Sequence, residues 1–321
     1  MLVTDQHPHN KSIMVSLLGR PNAGKSTLIN NLLGFDLSIV SHKPQTTRNS
    51  FHCAFTVDRT EIVLVDNPGI HKSGQELNIR MNGQAQMGAE GSDLNIILLD
   101  ATKDNLAQVF RDFYADLKKE LTKTWVVFNK IDLQGELKKD FDAIFNELKS
   151  EFPFLEKSFA ISAKEGEGVH LLIGELCDSA EGGPHLYPNG DVSNKNMRFF
   201  ASEYIREQLF KTLKEELPYE VAVTIDEFSE ATDPTSKVRA KISATVLVNR
   251  AGQRAIVVGS KGSVIKQVGS EARKKIEAMM GGIVHLNLHV KISEKWFKNN
   301  FVLEEIGLPR VRESKRVWRK R

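Results

Sequence analysis

Cysteine is almost missing from this chain: Cys53 and Cys177 are the only two in 321 residues. Two thiols cannot supply a disulfide framework for a protein of this size, and neither stands in the Cys/His spacing of a zinc site. Both read as small fillers of the interior. Long apolar runs are missing too. No stretch approaches the ~18 consecutive apolar residues of a membrane-spanning helix, and the opening segment MLVTDQHPHNKS lacks the apolar core of a signal peptide. A soluble, intracellular protein is expected. Internal repeats and low-complexity tracts are also absent, which leaves ordinary globular domains.

A strong overall charge is missing as well, but the net +3 conceals a division. Residues 231–321 hold 20 Lys and Arg against 7 Asp and Glu, a net of +13, whereas residues 1–230 hold 24 against 34, a net of −10. One end should attract polyanions and the other repel them; nucleic-acid binding and plain solvated surface both fit the basic end. With 40% hydrophobic residues, the chain can bury more than one core, and two domains are expected.

The first part alternates short apolar runs with amphipathic stretches, the pattern of helices flanking a mostly parallel sheet. SIMVSLLG, FHCAFTV, EIVLVD, LNIILLD, TWVVFNK and KSFAISA read as strands; STLINNLLG and residues 105–120, 136–149 and 168–179 read as helices. Gly182, Gly183, Pro184, Pro188 and Gly190 then cluster in residues 181–195, the best linker candidate. Beyond it, Phe199, Tyr204, Ile205, Leu209 and Leu213 fall at helical spacing, followed by the strand-like YEVAVTIDEF and VRAKISATVLVN. A turn at residues 249–253, with Gly252 free to take positive φ, is expected to return the chain as a strand RAIVV. A glycine-bounded turn then opens the helical GSKGSVIKQVGSEARKKIEAMM, and IVHLNLHVKI closes the unit as a strand. The second domain is a small α+β unit.

The strongest local signal is Gly19-Arg20-Pro21-Asn22-Ala23-Gly24-Lys25-Ser26, followed by Thr27. It satisfies the phosphate-loop pattern between a strand and a helix. Its glycines allow backbone N–H groups to face phosphates, Lys25 can reach the β- and γ-phosphates, and Ser26 offers a hydroxyl to Mg²⁺. Asn129-Lys130-Ile131-Asp132, at the end of a strand, separates guanine from adenine: the Asp132 carboxylate can accept both N–H donors of one guanine edge. Asn129 can brace neighbouring loops, and the stem of Lys130 can lie along the base. Ser162-Ala163-Lys164 is a weaker signal that would present the Ala163 N–H to the guanine oxygen.

Asp66-Asn67-Pro68-Gly69 puts a carboxylate at a strand end where it can hold Mg²⁺, and Gly69 can bring its N–H to the γ-phosphate. The stretch beyond, with Gly74, Gly83, Gly88 and Gly91, is expected to be flexible and to be released when that phosphate is lost. Either Thr46 or Thr47 supplies a second hydroxyl to the metal. Ile70 cannot orient a water molecule by hydrogen bonding. Asn22 either helps bind K⁺ beside the phosphates, supplying positive charge, or merely braces the loop; His71 reads as a surface residue rather than a general base.

In the second domain, Gly259-Ser260-Lys261-Gly262 is a GxxG turn flanked by apolar segments. It can serve as a helix cap, or as a place where a nucleic-acid backbone approaches the glycines and contacts Ser260 and Lys261, the groove taking about four unstacked nucleotides. Arg254, Lys266, Arg273, Lys274 and Lys275 add positive field around it.

Taken together, GRPNAGKSTLIN, KPQTTRN, DNPG, NKID and SAK, in this order, with GGPHLYP, EYIREQLF, ELPYEVAV and VVGSKGSVIKQVG after them, closely resemble the bacterial Era GTPases over nearly the whole chain. The resemblance implies a P-loop GTPase domain of α/β class over residues 1–180, a linker at 181–195, and a KH domain of the second topological type over 196–321 with a basic extension. It implies hydrolysis of GTP to GDP and phosphate with Mg²⁺, binding to the 3′ region of 16S-type ribosomal RNA, and maturation of the small ribosomal subunit. It further implies a cytoplasmic protein, monomeric when free, that associates peripherally with the inner membrane. Phosphate and metal roles fall to Lys25, Ser26 and Asp66, guanine recognition to Asn129 and Asp132, and RNA contact to residues 259–262. Asn67 departs from the family's usual threonine, a change expected to tune the switch, and the VLEEIGLPRVRESKRVWRKR end departs in its basic run. The readings set against it are a GTPase acting chiefly through a protein or membrane partner, and an RNA-binding module whose nucleotide site is inactive.

Overall fold

The structure is a computed structural model that describes residues 7–40, 43, 46–70, 75–134, 139–233 and 235–310. Strands that are apolar on both faces need cover on both sides, and this dictates the first unit. β1 (Lys11–Gly19), β3 (Thr60–Asp66), β4 (Leu94–Asp100), β5 (Thr124–Asn129) and β6 (Leu155–Ile161) are parallel, with β2 (Phe51–Val57) antiparallel at one edge, in the order β2-β3-β1-β4-β5-β6. Side chains alternate between two cores. Ile96, Leu98, Trp125 and Val127 face α1 (Lys25–Leu33) and α5 (Val169–Ser179). Ile97, Leu99, Val126 and Phe128 face α2 (Glu76–Glu90), α3 (Leu106–Leu117) and α4 (Phe141–Glu151). β1 lies between β3 and β4, where the strand order reverses, so its carboxyl end opens onto a crevice suited to a ligand.

Helix α2 corrects the flexible stretch expected after Gly69. Gly83 and Gly88 are helical, and Gly88 is there because a side chain would collide with Asn67, whose Oδ1 lies 2.4 Å from the position of a Cβ. Gly74 and His71 lie outside the described residues. α4 also begins later than expected, at an Asp140 cap that accepts a hydrogen bond from the Ala143 N–H at 2.9 Å.

The predicted linker is strapped to the first sheet. β7 (Glu181–Gly182) pairs antiparallel with the start of β1, the N–H groups of Leu186 and Tyr187 donate to the Glu61 carboxylate at 2.6 and 3.0 Å, and Ser193 bridges to Cys53.

The second unit runs α6 (Met197–Thr212), β8 (Ala222–Glu230), β9 (Val238–Val248), α7 (Ala251–Val258), α8 (Ser263–Met280) and β10 (Ile283–Ile292), then a short α9 (Asn300–Glu305). Its sheet has the order β10-β9-β8, antiparallel between β8 and β9 and parallel between β9 and β10. Residues of α6 and α8, among them Ile205, Leu209, Val268 and Ile276, share a core with Ile242, Ala244 and Val246 of β9. The expected strand RAIVV is instead part of α7. Its β-branched residues favour a strand, but β9 already has β8 and β10 as neighbours; the segment buries Gln253 and Val257, four apart, as a helix does. A small third cluster joins the units: Leu77 and Met81 of α2 pack with Ala222, Leu247, Trp296, Leu303 and Leu308.

Candidate functional site

The loop leaving β1 takes left-handed or glycine-favouring backbone at Gly19 (φ 150°), Asn22 (φ 63°) and Gly24 (φ 101°) before α1 begins at Lys25. A Cβ at Gly24 would stand 2.1 Å from Asn129 Nδ2, so the loop needs glycine both for its φ and for its neighbour. Lys25 is buried and its Nζ donates to the carbonyls of Gly19 and Arg20 at 3.2 and 3.3 Å, which centres the ammonium inside the loop. Burial brings its pKa down to about 8 against the opposing pull of Asp66. Arg20 turns outward to Asp116 of α3 at 2.6 Å, and Gly69 packs so closely on Pro21 that a Cβ would come within 2.8 Å of the Pro21 nitrogen.

Asp66 is fully buried. Its Oδ2 accepts a hydrogen bond from Ser38 Oγ at 2.7 Å, and Oδ1 has no partner among the described residues. Burial pushes the carboxyl up to about 6, with Ser38 and Lys25 pulling it down. Thr47 stands close enough to help lower it without reaching hydrogen-bond geometry, and its Oγ1 lies 3.3 Å from Ser26 Oγ. Ser26, Thr47 and Asp66 therefore converge on one point, while Thr46 presents its carbonyl to Arg206 on α6. An orphaned buried carboxylate oxygen beside two hydroxyls is the hard-oxygen donor set that Mg²⁺ takes. Asn67, by contrast, faces inward: Nδ2 donates to Ser16 Oγ at 3.0 Å and Oδ1 accepts from Ser50 Oγ at 2.8 Å. It pins β3 to β1 and to the strand-leading segment before β2, under Gly88 of α2.

At the far end of the crevice Asn129 is buried, its Nδ2 donating to the Ala23 carbonyl at 2.8 Å and its Oδ1 accepting from the Ala163 N–H at 2.9 Å. It ties the phosphate loop to the Ser162-Ala163-Lys164 loop, and the Ala163 N–H expected to face a base is held here by that amide. Lys130 takes φ 71° and its ammonium pairs with Asp100 at 2.7 Å. Asp132 projects into solvent on a short 3-10 turn, Ile131–Leu133. Ser162 is buried; Lys164 is exposed and paired with Glu165.

The second unit presents the GxxG turn between α7 and α8. Gly259 (φ 73°), Lys261 (φ 50°) and Gly262 (φ 79°) are all left-handed, and a Cβ at Gly259 would meet Val264 at 2.5 Å. Ser260, Lys261, Arg254 and Lys266 are exposed. Lys266 and Arg273 edge a shallow cavity of about 330 Å³ between α8 and β10, floored by Ile265, Leu286 and Leu288. Lys274 pairs with Glu271, and Lys275 lies elsewhere, against Glu207 of α6 at 2.9 Å and Asp36 of the first unit at 3.6 Å. The sequence suggested an apolar floor beside the turn; the structure forms one from Ile265 of α8 with Leu286 and Leu288 of β10.

Sequence reasoning also missed the joint between the units. Arg48 donates to the carbonyls of Val221 and Tyr219 at 2.8 and 3.0 Å, Asn49 to Ile306 at 2.9 Å, Arg80 to Leu308 at 2.7 Å and Gln84 to Gly307 at 2.8 Å. The two segments that flank the phosphate site, the one carrying Thr47 and helix α2, thus hold the second unit directly.

A phosphate loop, a metal-suited carboxylate and a base-end asparagine on one sheet crest, joined to an α-β-β-α-α-β unit with a GxxG turn, define a P-loop GTPase domain fused to a type II KH domain. Family models agree: a 50S ribosome-binding GTPase model matches residues 14–130 and a KH domain model matches residues 216–297. GTPase Era of Thermotoga maritima is 38% identical over 305 residues, covering 93% of this chain and 97% of that one. GTPase Era of Erythrobacter litoralis is 37% identical over 308 residues, covering 94% and 98%. Two crystal structures cover 94% of this chain and all of their own. Era with MgGDPNP and nucleotides 1506–1542 of 16S ribosomal RNA has a TM-score of 0.83 at 30% identity, and a point variant of Aquifex aeolicus Era bound to GDP.AlF4− has 0.82 at 29%. The chain belongs to the Era GTPase family.

Proposed function

We propose that this protein is a GTP-hydrolysing switch that binds the 3′ region of 16S-type ribosomal RNA through its GxxG face and assists maturation of the small ribosomal subunit. The observation that carries the reading is the hydrogen-bonded joint: both segments flanking the phosphate site also grip the domain with the RNA-binding topology. The Era structure at 30% identity, which holds MgGDPNP and 16S ribosomal RNA together, supports it.

Ser26, Thr47 and Asp66 would hold Mg²⁺, which supplies neutralisation of charge on the β- and γ-phosphate oxygens. Thr47 rather than Thr46 takes this role, because its hydroxyl lies 3.3 Å from Ser26 Oγ. Lys25, already centred in the loop, places positive charge at the terminal phosphates, and the Gly69 N–H offers a donor from the opposite wall. Asn129 holds the base end rigid while Asp132 accepts from guanine. Ile70 is buried and carries no group that orients water; a K⁺ held with the help of Asn22 would supply positive charge there. Asn67 sets how tightly the β3 end is tied to β1 and to the Ser50 segment beneath α2, and so tunes switching.

Residues 1–180, 181–195 and 196–321 are taken as GTPase domain, strap and KH domain with its extension; residues 311–321 of that extension lie outside the described residues. A monomeric free state and peripheral membrane association rest on the resemblance; among the described residues no helix is long and apolar enough to cross a membrane. Fluorescence anisotropy tests the function: a labelled single strand from the 3′ end of small-subunit RNA should bind more tightly than anionic lipid vesicles at physiological salt, and differently with GTP analogue than with GDP. Binding to vesicles alone would shift the reading to a membrane switch. Hydrolysis should run faster in K⁺ than in Na⁺ at equal ionic strength, and Asp132→Asn should shift preference from GTP to xanthosine triphosphate in calorimetric titration.

A further inference from the structure

The base end of the crevice holds a lysine in a fixed position. Asp100 closes β4 and Asn129 closes β5, opposite each other in the parallel register, and the Ala101 N–H donates to the Asn129 carbonyl at 2.8 Å. The chain then turns left-handed at Lys130, a conformation costly for a residue that carries a Cβ. That turn leaves the Lys130 ammonium 2.7 Å from Asp100 Oδ2, on the neighbouring strand.

The carboxylate is itself fixed from its other side. The Thr102 N–H and hydroxyl donate to Asp100 Oδ1 at 3.1 and 2.7 Å, and Lys139 steadies the same turn by donating to the Ala101 carbonyl at 2.7 Å and to that of Lys103. Burial alone would raise the pKa of Asp100, yet the bonds from Lys130 and Thr102 hold it below the ordinary carboxylate value, so the charge persists at neutral pH. An ion pair between two mobile surface side chains is worth little, because both must be ordered to form it. Here one partner is already ordered. The Lys130 and Asp100 side chains are 28% and 16% exposed, so the pair is sheltered from screening while the lysine stays open enough to touch a ligand.

A lysine stem that forms part of a binding wall loses rotamer freedom when a ligand lies along it, which weakens affinity unless the stem is ordered beforehand. We propose that Asp100 is a positioning residue for the guanine nucleotide: anchored by Thr102, it holds the Lys130 ammonium so that the methylene stem stands as a fixed wall for the base, beside the Asp132 acceptor. The inference rests on the guanine reading of residues 129–132 and adds to it a residue of another strand, outside every motif of the site.

Stopped-flow dissociation of a fluorescent GDP analogue from the full chain tests the assignment. Asp100→Asn is isosteric and keeps an acceptor for Thr102 but removes the charge that holds Lys130. It should speed dissociation about tenfold, the order expected when one long side chain is no longer ordered in advance. The loss of affinity should be equal for GDP and a non-hydrolysable GTP analogue, because the base end is common to both, and KM for GTP should rise with little change in kcat. Asp100→Glu, which restores the charge, should recover most of the loss. In a Lys130→Ala background Asp100→Asn should add less than about twofold, since no ammonium is left to hold. A wild-type dissociation rate in Asp100→Asn would overturn the proposal. So would an equal increase in the Lys130→Ala background, which would make Asp100 a brace for the end of β4. Wild-type protein that binds ADP as tightly as GDP would remove the guanine reading and the proposal together, whereas a guanine preference left unmoved by Asp100→Asn removes the proposal alone.

Discussion

The phosphate loop and the GxxG turn are built alike and used in opposite ways. Each is a turn with left-handed residues that ends in a glycine and runs straight into a helix, α1 at Lys25 and α8 at Ser263. In the first, the lysine is enclosed, bonded to its own loop and faced by Asp66; in the second, Lys261 stands in solvent. Enclosure preorganises charge for one ligand in a dry site, where it acts at full strength. Exposure leaves a lysine screened by salt but able to follow a phosphate chain of any sequence. The difference lies in what surrounds the turn, since the backbone device is shared.

The sharpest way to break this comparison is to remove both lysines in turn. Lys25→Ala should lower single-turnover GTP hydrolysis about 10²–10³-fold, whereas Lys261→Ala should leave it unchanged; equal effects would mean enclosure is irrelevant. The next test uses pH. With the folded pKa of Asp66 raised to about 6 from an ordinary 3.8, nucleotide-free, metal-free protein should lose stability as pH rises across that interval, by about 3 kcal/mol, and no further above it. Asp66→Asn removes this dependence, so its melting temperature should overtake that of the wild type between pH 4 and 6; parallel pH curves would count against a buried, unpaired carboxylate.

A matched pair of glycine substitutions sharpens the point. Gly24→Ala strains a left-handed residue and strikes Asn129, and should weaken GDP binding about tenfold or more by fluorescence titration. Gly262→Ala has the same kind of φ but nothing within 4 Å of its Cβ, and should cost only about 1 kcal/mol of stability with GDP affinity intact. The last test falls on the exposed turn: Ser260→Asp with Lys261→Asp should weaken binding of the RNA strand about tenfold and flatten its salt dependence, with circular dichroism confirming the fold. An unchanged salt slope would make the turn a cap.

What could be read in the sequence followed the same divide. The crest segments were legible because each sits at the end of a continuous apolar run, where motif and strand end coincide: Gly19 closing β1, Asp66 closing β3, Asn129 closing β5. Helix α2 was not, because Gly83, Gly88 and Gly91 read as breakers and its inward face includes Asn78 and Arg80, buried polar residues that blur the period. α7 was misread for its Ala-Ile-Val-Val run, a case of local β-propensity overridden by the neighbours of β9. Two adjacent threonines read alike in sequence, and only the structure shows the Thr47 hydroxyl beside Ser26. The joint left no trace at all, since Arg48, Arg80 and Gln84 look like any solvated polar residues until their partners are seen.

Those partners are main-chain carbonyls, at Tyr219, Val221, Ile306, Gly307 and Leu308. Those bonds are keyed to the path of the chain, whereas the packing of Leu77 and Met81 on Ala222, Leu247, Trp296, Leu303 and Leu308 and the hydrogen bond from Arg80 to Asn300 Oδ1 depend on its side chains. Positions outside that cluster are free to vary in sequence while the grip survives, yet a single inserted residue before Val221 or Ile306 would slide the acceptors that follow it out of register. Exchanging one KH domain for another should therefore keep the two halves in communication only where loop length and the residues at Ala222, Leu247, Trp296, Asn300, Leu303 and Leu308 are both kept.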